Sequence, residues 1–377
     1  MLLCLQGCSC KGDKQLIEAE QTIPIAFNPE TSPPLDSFIS KITVIPLETN
    51  DKCLLRETFM GVKGHQGLIY INNEFQDLFV FDLNGKFIRK IGNKGQGPGE
   101  FLEVRDFIFT PEGTIEILDF KKIESYTLEG KHLGTIKRFD FLGTDFYINP
   151  MNFCKSPSSK YYFWGGMQYG NNTHFNRTGN LMYRLNSDMQ IEAGFFEKNF
   201  GDGGTRDRFT YYKDKILIVS SPADNHIYQI NPNDSVTMRY IFDFGKYSVK
   251  AGKDDDRTTI AIDNYVNSIK NYYETDHFMF FNFSFTSQRL IYYLLYFKAT
   301  GQFYIKSLKS SADEKDIGIY PIQTIINDNL VALVQPTWLK MTLERMSPAN
   351  IKKWGLGKYQ KLNDDDNPVL ILYKPKF

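Results

Sequence analysis

The chain repeats a unit of two short strands joined by a tight turn, with an interval of 45 residues between the clearest copies. The run Val80–Phe87 contains the turn Asn84–Gly85, and the run Ser125–His132 contains Glu129–Gly130. Periods of about 40–50 residues built from strands are typical of β-propellers, in which each repeat forms one four-stranded blade. Asn-Gly also predicts a type I′ hairpin, since both central residues of that turn need positive φ.

Equivalent hairpin positions can be followed through most of the chain. They are Leu83, Leu128, Leu185, Ile230 and Ala299. Their separations are 45, 57, 45 and 69 residues, so two repeats carry insertions. The first lies in the loop 165–180. The second is predicted over 251–274, where the helical spacing of apolar residues indicates an inserted helix before blade five begins near Phe278. Those apolar residues are Ile260, Ile262, Tyr265, Val266 and Ile269.

The last repeat is one strand short. It begins near Ile317 and is interrupted over 337–366 by a second predicted helical insert. The segment Lys41–Leu47 reads as a strand without a partner, and pairing it with Pro368–Tyr373 would close the ring and remove an exposed edge. Residues 38–377 are therefore predicted to form an all-β, six-bladed β-propeller closed by the N-terminal strand, with two helical inserts.

The first twenty residues are predicted to be a signal and tether. Leu5-Gln6-Gly7-Cys8 has the pattern of a bacterial lipoprotein signal, in which a lipid is attached to the cysteine thiol. Its apolar run is short and no basic residue precedes it, so chance cysteines in a disordered N-terminus are the alternative. No apolar stretch reaches the roughly 18 residues of a membrane-spanning helix. We expect lipidation at Cys8, a location in the bacterial cell envelope, and membrane contact only through this anchor.

The balance of charges argues against a nucleic-acid partner. Lys plus Arg and Asp plus Glu each number 44, so no net field attracts a polyanion. Five cysteines are present, and those outside the N-terminus, Cys53 and Cys154, are far apart in sequence. The chain contains no Cys-x-x-Cys pair and no Cys/His set at zinc spacing. We predict buried free thiols and no disulfide framework.

Familiar catalytic patterns are not recognisable in the sequence. The glycine-rich run 92–99 lacks the spacing of a phosphate-binding loop and is expected to pack between blades. The acidic runs 254–256 and 364–366 are expected to be solvated, and the five histidines are dispersed. No nucleophile elbow is present. The sequence therefore predicts no catalytic residues, no metal ligands and no cofactor.

One end of the predicted ring carries the long loops. In an up-and-down blade, the loops between the second and third strands share a face with the connections between blades. Long loops on one end of a rigid scaffold are where binding usually resides. On this loop-rich face, aromatic, amide and guanidinium groups suit contact with a sugar or a peptide. The predicted ligand-binding residues are Trp164, Tyr169, Asn171, Arg206 and Arg208.

Five segments distributed along the chain resemble a known family. They are Val44–Thr49, Phe81–Gly92, Gly95–Phe101, Ile241–Lys246 and Asn367–Leu370. In these runs the chain is similar to the six-bladed propeller lipoproteins of Bacteroides-type bacteria, which are related in shape to NHL-repeat propellers. The resemblance implies the fold and export. It implies no reaction, because this family has no general assigned activity.

Three functions remain open from the sequence. The preferred one is a monomeric, non-catalytic binding or scaffold lipoprotein that presents its loop-rich face to a glycan, a peptide or an envelope protein. The alternative is a metal-dependent propeller enzyme of the lyase or lactonase type, with the ion on the ring axis. A third is a structural subunit of a larger envelope complex.

Overall fold

The repeated units of the chain assemble into six sheets around one axis. The computed structural model describes residues 20–55, 59–74, 76–120, 122–138, 146–148, 150–165, 167–169, 180–197, 208–220, 225–248, 265–285, 290–308 and 317–377. Each sheet contains a blade of four antiparallel strands, ordered outward from the axis, and the sheet of blade four has an additional parallel strand at its outer edge. Two further strand pairs lie in connections: Asn93–Lys94 with Glu100–Phe101, and Phe146–Ile148 with Met167–Tyr169.

The first three blades follow one another along the chain. The strands of blade one are Phe59–His65, Leu68–Asn73, Asp77–Asp82 and Phe87–Ile91. The strands of blade two are Asp106–Phe109, Thr114–Leu118, Lys122–Thr127 and His132–Arg138. The strands of blade three are Asn152–Lys155, Tyr161–Trp164, Asn180–Leu185 and Ile191–Glu197.

The last three blades complete the ring. The strands of blade four are Phe209–Tyr212, Lys215–Val219, His226–Ile230 and Val236–Asp243. The strands of blade five are Val266–Glu274, Phe278–Phe285, Leu290–Phe297 and Phe303–Ser307. The strands of blade six are Ile322–Ile326, Asn329–Val334, Val369–Pro375 and Ile39–Pro46. The innermost strand of blade six contacts that of blade one, which closes the circle. The predicted six-bladed propeller is confirmed.

Ring closure uses both ends of the chain, as the sequence predicts. Ile39–Pro46 forms the outermost strand of blade six and pairs antiparallel with Val369–Pro375, placing Ile42 opposite Tyr373. The side chains of Ile42 and Tyr373 are both buried in the core between blades five and six. Joining the two termini in one sheet leaves no gap in the ring at which two edges would be exposed.

An additional N-terminal segment holds three blades together and was not predicted. Gln21–Pro24 adds to the outer edge of blade four as a fifth strand, parallel to Val236–Asp243. The next residues, 25–34, cross the rim of blade five before the chain enters blade six; we call residues 25–34 the belt. Within it, Phe27 is buried among five aromatic rings at centroid distances of 5.1–6.3 Å. Those rings are Phe244, Tyr247, Phe283, Phe285 and Tyr292.

The prediction of a helix over 251–274 is wrong for residues 266–274, which form a strand. Val266–Glu274 is the innermost strand of blade five, which therefore begins well before Phe278. This strand shifts register twice against its neighbour, and Asn271 adopts a positive φ of 50°. Such bulges interrupt the two-residue alternation of a strand, so its buried residues fall at intervals that imitate a helix. Residues 249–264, including Ile260 and Ile262, lie outside the described residues.

The insert predicted over 337–366 is present and contains both helices of the described chain. They are α1, Pro336–Arg345, and α2, Pro348–Trp354. Each has proline in its first turn, where no amide donor is needed. Ser347 caps α2 by accepting a hydrogen bond from the Asn350 amide at 3.2 Å. Apolar side chains of the insert pack into the core between blades five and six, so it fills the cleft that widens toward the rim.

In the part of the chain that the structure describes, the remaining helical segments are short 3-10 helices. They are Leu35–Ser37, Gly245–Tyr247 and Gly357–Lys361.

The hairpin at Asn84–Gly85 is present, but its type differs from the prediction. Gly85 has a φ of 84°, whereas Asn84 is not among the positive-φ residues. Asp82 carboxylate instead accepts from the amides of Asn84 and Lys86 at 2.8 and 2.9 Å, which stabilises a longer turn.

A polar cavity at the mouth of the axial channel

The hairpins that join the first and second strands of the blades surround the axis on the face opposite the loop-rich face. We call this the hairpin face. A cavity of about 500 Å³ opens here and is lined by blades one, two, four, five and six. Its volume falls within the range of small-molecule sites, and its walls combine aromatic rings with charged and amide side chains. Five blades contribute to it, so only ring closure creates this cavity.

Tyr211 is the most exposed aromatic residue that lines this cavity. It lies in the innermost strand of blade four, and 48% of its surface is accessible. Tyr211 lines the cavity, and Cys154, Asp106 and the backbone of Lys155 lie near its hydroxyl. Loss of solvation, with smaller contributions from Cys154 and Asp106, raises the pKa of Tyr211 well above its ordinary value. The phenol is therefore a neutral, stackable ring that can donate and accept hydrogen bonds.

A partly buried ion pair connects the inner strands beside the cavity. Lys63 of blade one donates to the Asp106 carboxylate of blade two at 2.7 Å, and its ammonium lies 4.8 Å from the Phe107 ring centroid. The other oxygen of Asp106 accepts from the Phe153 amide of blade three at 3.1 Å. Both charges are thus occupied by the protein, and they fix the relative positions of three blades.

The rim of the cavity carries accessible charges. Lys213 and Asp276, from the hairpins of blades four and five, pair at 2.9 Å. Tyr212 hydroxyl donates to Asp276 at 2.8 Å. The hydrogen bond from Lys213 lowers the pKa of Asp276, and the same bond raises the pKa of Lys213. On the opposite side of the blade five hairpin, His277 lies 3.7 Å from Asp328. The rim can therefore hydrogen-bond a polar ligand from several directions.

Glu274 lines the cavity, but its carboxylate is fully engaged within the protein. Its side chain is inaccessible to solvent, and Lys298 donates to it at 2.7 Å. Arg239 donates through two nitrogens at 2.9 and 3.1 Å, and Tyr240 and Tyr272 donate at 3.2 and 3.1 Å. Burial raises the pKa of Glu274, but hydrogen bonds from Arg239 and Lys298 outweigh this effect and lower it. Glu274 therefore stays ionised and joins blades four and five.

Two of the predicted ligand-binding residues are packed inside the protein. Trp164 and Arg208 are only 1% and 2% accessible. The Arg208 guanidinium lies 4.6 Å from the Trp164 ring centroid and donates to the backbone oxygens of Val219, at 3.2 Å, and Ser220. The two side chains thus contact each other across blades three and four, and their described contacts are internal.

The structure does not test whether the other predicted binding residues form a binding surface on the loop-rich face. Tyr169 ends the short strand Met167–Tyr169, which pairs with Phe146–Ile148. Asn171 and Arg206 lie outside the described residues, as does Cys8. A role for these residues stays a prediction.

The sequence reasoning missed Tyr211, Lys213 and Asp276. The signal available was position: Tyr211 lies in the first strand of its repeat, and Lys213 and Asp276 lie in hairpins between first and second strands. Long loops indicate a binding face from sequence alone, whereas the short hairpins that carry these three residues give no such signal.

The glycine-rich run contacts blade two at Gly92 and Gly99, while its remaining residues are exposed or half-buried. Glu100 carboxylate turns back to accept from the Gly97 amide at 2.8 Å, and Tyr126 hydroxyl donates to Gly99 oxygen at 2.9 Å. A side chain at Gly99, whose φ is 72°, would collide with the His132 ring. The loop therefore presents a carboxylate where a phosphate-binding loop would present free amides.

Metal-ligand geometry is not found in the described ranges. No three His, Cys, Asp or Glu side chains there are placed to hold an ion together. His132 contacts Glu124 at 2.8 Å on the outer part of blade two, and His65 stacks on Phe109 with centroids 4.1 Å apart. Cys53 and Cys154 are buried free thiols, as the sequence predicts.

These features define a six-bladed β-propeller with a polar, aromatic-lined cavity on its axis. Residues 20–374 match the family described as a domain of unknown function, DUF4934, and the chain belongs to that family. The match includes the N-terminal strand and the belt, so both belong to the domain. No curated protein matches the sequence.

Solved structures extend this comparison to the whole ring. A Bacteroides fragilis NCTC 9343 protein described as exported has a TM-score of 0.74 and 17% identity, covering 95% of this chain and 100% of its own. At that identity the likeness establishes the fold alone. A Bacteroides thetaiotaomicron protein of unknown function has a TM-score of 0.43 and 9% identity, covering 89% of this chain and 76% of its own. An oligogalacturonate lyase in complex with manganese has a TM-score of 0.40 and 10% identity, covering 91% and 92%. The last two are too dissimilar to carry an argument.

Proposed function

We propose that this protein is an exported, non-catalytic binding protein of the bacterial cell envelope, and that it takes the end of a glycan in the cavity on the hairpin face. The observation that carries the proposal is the accessible ring of Tyr211 inside a cavity formed by five blades. A flat aromatic surface flanked by hydrogen-bonding groups suits the apolar face and the hydroxyls of a sugar ring.

The state of the surrounding charges supports binding rather than chemistry. Glu274 is saturated by donors from Arg239 and Lys298, and Asp106 is held by Lys63. A general acid or base needs a proton that it can exchange with substrate at working pH. The accessible groups at the rim, Lys213 and Asp276, instead neutralise each other. Their arrangement favours recognition of an uncharged polar ligand.

Export and lipid anchoring at Cys8 form the second part of the proposal. The shared fold with an exported Bacteroides protein supports export. No helix in the described part of the chain has the length and apolar character needed to cross a bilayer. An anchor at Cys8 would connect to the domain through the segment before Gln21, at the outer edge of blade four.

The binding test compares two substitutions of one residue. Tyr211→Ala removes the ring, and Tyr211→Phe keeps the ring but removes the hydroxyl. Binding of the purified protein to an array of neutral and acidic oligosaccharides identifies ligands, and calorimetry then gives affinities. We expect Tyr211→Ala to weaken binding at least tenfold and Tyr211→Phe to have a smaller effect.

Trp338→Ala is the matched control, because that residue is 63% exposed on α1, away from the axis. Unchanged affinity in Tyr211→Ala would exclude the hairpin-face cavity as the binding site. If Arg206→Ala weakened the same binding, the predicted loop-rich face would take its place.

A further inference from the structure

A two-residue turn of blade six places Asn327 and Asp328 at the wall of the axial cavity. The turn joins the first two strands of the blade, and the residues on either side of it, Ile326 and Asn329, pair with each other. Asn327 and Asp328 have φ values of 48° and 56°, as a type I′ turn requires. The Asn329 side-chain amide donates to the oxygens of Ile326 and Asn327 at 3.2 and 2.9 Å. The turn therefore holds Asp328 at a defined place in the cavity wall.

The carboxylate of Asp328 differs from the other charges of this wall. Each of the other charged side chains that line the cavity pairs with an opposite charge at 2.7–2.9 Å. These side chains are Lys63, Lys213, Glu274 and Asp276. Asp328 lies 3.7 Å from His277, which is beyond hydrogen-bond range, and that histidine is charged only when it is protonated. Among the described residues no closer cation or donor reaches Asp328, whose side chain is 32% accessible.

An accessible carboxylate in a cavity wall has two effects on a ligand. Its two oxygens only accept hydrogen bonds, so they bind groups that donate, such as the hydroxyls of a sugar. Hydrogen bonds to a charged group are also stronger than those between neutral groups. A ligand that brings its own carboxylate meets the opposite result, because like charges placed close together cost free energy.

We propose that Asp328 determines which sugars the axial cavity accepts. It accepts hydrogen bonds from the hydroxyls of a neutral sugar at the end of a glycan, and it excludes an end that carries a carboxylate, such as a uronic acid. This inference rests on the proposed binding of a glycan end against Tyr211. The two residues have separate roles, since the Tyr211 ring supplies affinity for any sugar and Asp328 selects among them.

The test compares matched pairs of para-nitrophenyl glycosides as probes. One pair is the β-glucoside and the β-glucuronide, and the other is the β-galactoside and the β-galacturonide. The members of each pair differ only in the replacement of a hydroxymethyl group by a carboxylate. Calorimetry on the full chain gives both affinities, and we expect the neutral member of a bound pair to bind at least about tenfold more tightly.

Asp328→Asn should reduce this preference to less than about threefold, since it keeps the shape of the side chain and removes its charge. Asparagine also tolerates a positive φ, so the turn is retained. Asp214→Asn is the matched control. Asp214 is an exposed residue in the corresponding turn of blade four, between Tyr212 and Lys215, and it does not line the cavity. The control makes the same change in net charge and should leave the preference unchanged.

A second arm uses the natural protein alone and varies the salt concentration. Electrostatic screening shortens from about 30 Å at 0.01 M to about 3 Å at 1 M ionic strength. Exclusion of the acidic sugar by charge should therefore weaken as salt is added, and the ratio of the two affinities should fall. Exclusion by shape would leave the ratio constant.

The outcomes separate this inference from the proposed function. Neutral sugars that bind in a Tyr211-dependent way, with the same preference in the natural protein and in Asp328→Asn, would overturn the role of Asp328 and leave glycan binding intact. A ratio that is constant with salt, or a preference for the acidic member, would do the same. Binding that Tyr211→Ala leaves unchanged would exclude the cavity, and the absence of binding by every pair would overturn both proposals.

Discussion

Lys63 on blade one and Asp106 on blade two form an ion pair of 2.7 Å beside the axial channel, and Asp106 also accepts from the Phe153 amide of blade three. The pair joins inner strands that are far apart in sequence. The loss of stability when this pair is removed therefore measures how much the contacts near the axis contribute to the stability of the ring.

Asp106→Ala should destabilise the protein by about 2–4 kcal/mol, because it removes the carboxylate that pairs with the partly buried Lys63 ammonium and accepts from the Phe153 amide. Urea unfolding followed by tryptophan fluorescence measures the change. Lys160→Ala, which breaks a pair of the same 2.7 Å length with Glu192 at the surface, should cost less than about 1 kcal/mol. Equal effects of the two substitutions would show that the central pair has no special role.

Phe27→Ala should cost about 3–5 kcal/mol, since it removes a buried ring that contacts five others and leaves a cavity at the rim. Thermal unfolding followed by circular dichroism gives the measurement. The control is Leu54→Ala, at an apolar residue that is 58% exposed and should change stability by less than about 0.5 kcal/mol. A loss for Phe27→Ala as small as the control would mean that the belt does not hold the blades together.

Glu274 should make the stability of the fold depend on pH in the acidic range. Burial opposes ionisation of this carboxyl, but the bonds from Arg239 and Lys298 lower its pKa below the ordinary value of 4.5. A group with a lowered folded pKa stabilises the fold above its unfolded pKa, and that contribution is lost as the pH falls through the folded pKa. The stability difference between the natural protein and Glu274→Gln should therefore narrow below about pH 4.5.

Unfolding in urea at a series of pH values between 3 and 7 measures that difference. A gap that stays constant across this range would contradict the lowered pKa of Glu274. Glu192→Gln, at a half-exposed surface pair, provides the comparison for general acid effects.

Divalent ions should leave thermal stability unchanged. Ligands that bind the folded state raise its melting temperature in proportion to their affinity and concentration. Scans of the full chain with millimolar Ca²⁺, Mn²⁺ or Zn²⁺ should match the scan with a chelator to within about 1 °C. A rise of several degrees with one ion would favour the metal-dependent enzyme over the proposed binding protein.

Cys8 should be the site of lipid attachment in cells. Expression of the full chain in a Bacteroides host with an alkyne-tagged fatty acid should label the natural protein and leave Cys8→Ala unlabelled. Labelling of both variants, or of neither while both are exported, would contradict anchoring at this residue. Cys10→Ala is the control, because it removes a cysteine two positions away.

The repeat architecture was predictable because each blade is specified locally. The hairpins near Leu83 and Leu128 recur at fixed spacing, and alternating apolar residues define the strands between them. Ring closure by Ile39–Pro46 also followed from local reasoning, since one blade lacked a strand and one strand lacked a blade. Such arguments need only the sequence of each element.

Where the backbone departs from regular strand geometry, the same reasoning failed. In Val266–Glu274, two register shifts place Ile269 and Tyr272 at an interval that a helix would also produce. At Asn84, a carboxylate from Asp82 determines the turn type rather than the Asn-Gly pair alone. A pattern of apolar and turn residues does not show where a strand will bulge or which side chain will bond to a turn.

The candidate site was not predictable, because no single segment carries it. Tyr211, Lys63 and Asp276 come from three blades, and each is unremarkable in its own repeat. Conversely, Trp164 and Arg208 have the composition of a binding surface but pack against each other. Deciding between a contact with ligand and a contact with the protein requires the positions of neighbouring blades.

Pairing of Ile42 with Tyr373 also constrains how the protein is made. Ile39–Pro46 must stay unpaired until Val369–Pro375 has left the ribosome, so the ring closes only after more than 300 further residues have been synthesised. Contacts between such distant residues form slowly. Removal of either Ile39–Pro46 or Val369–Pro375 should therefore leave the last blade incomplete.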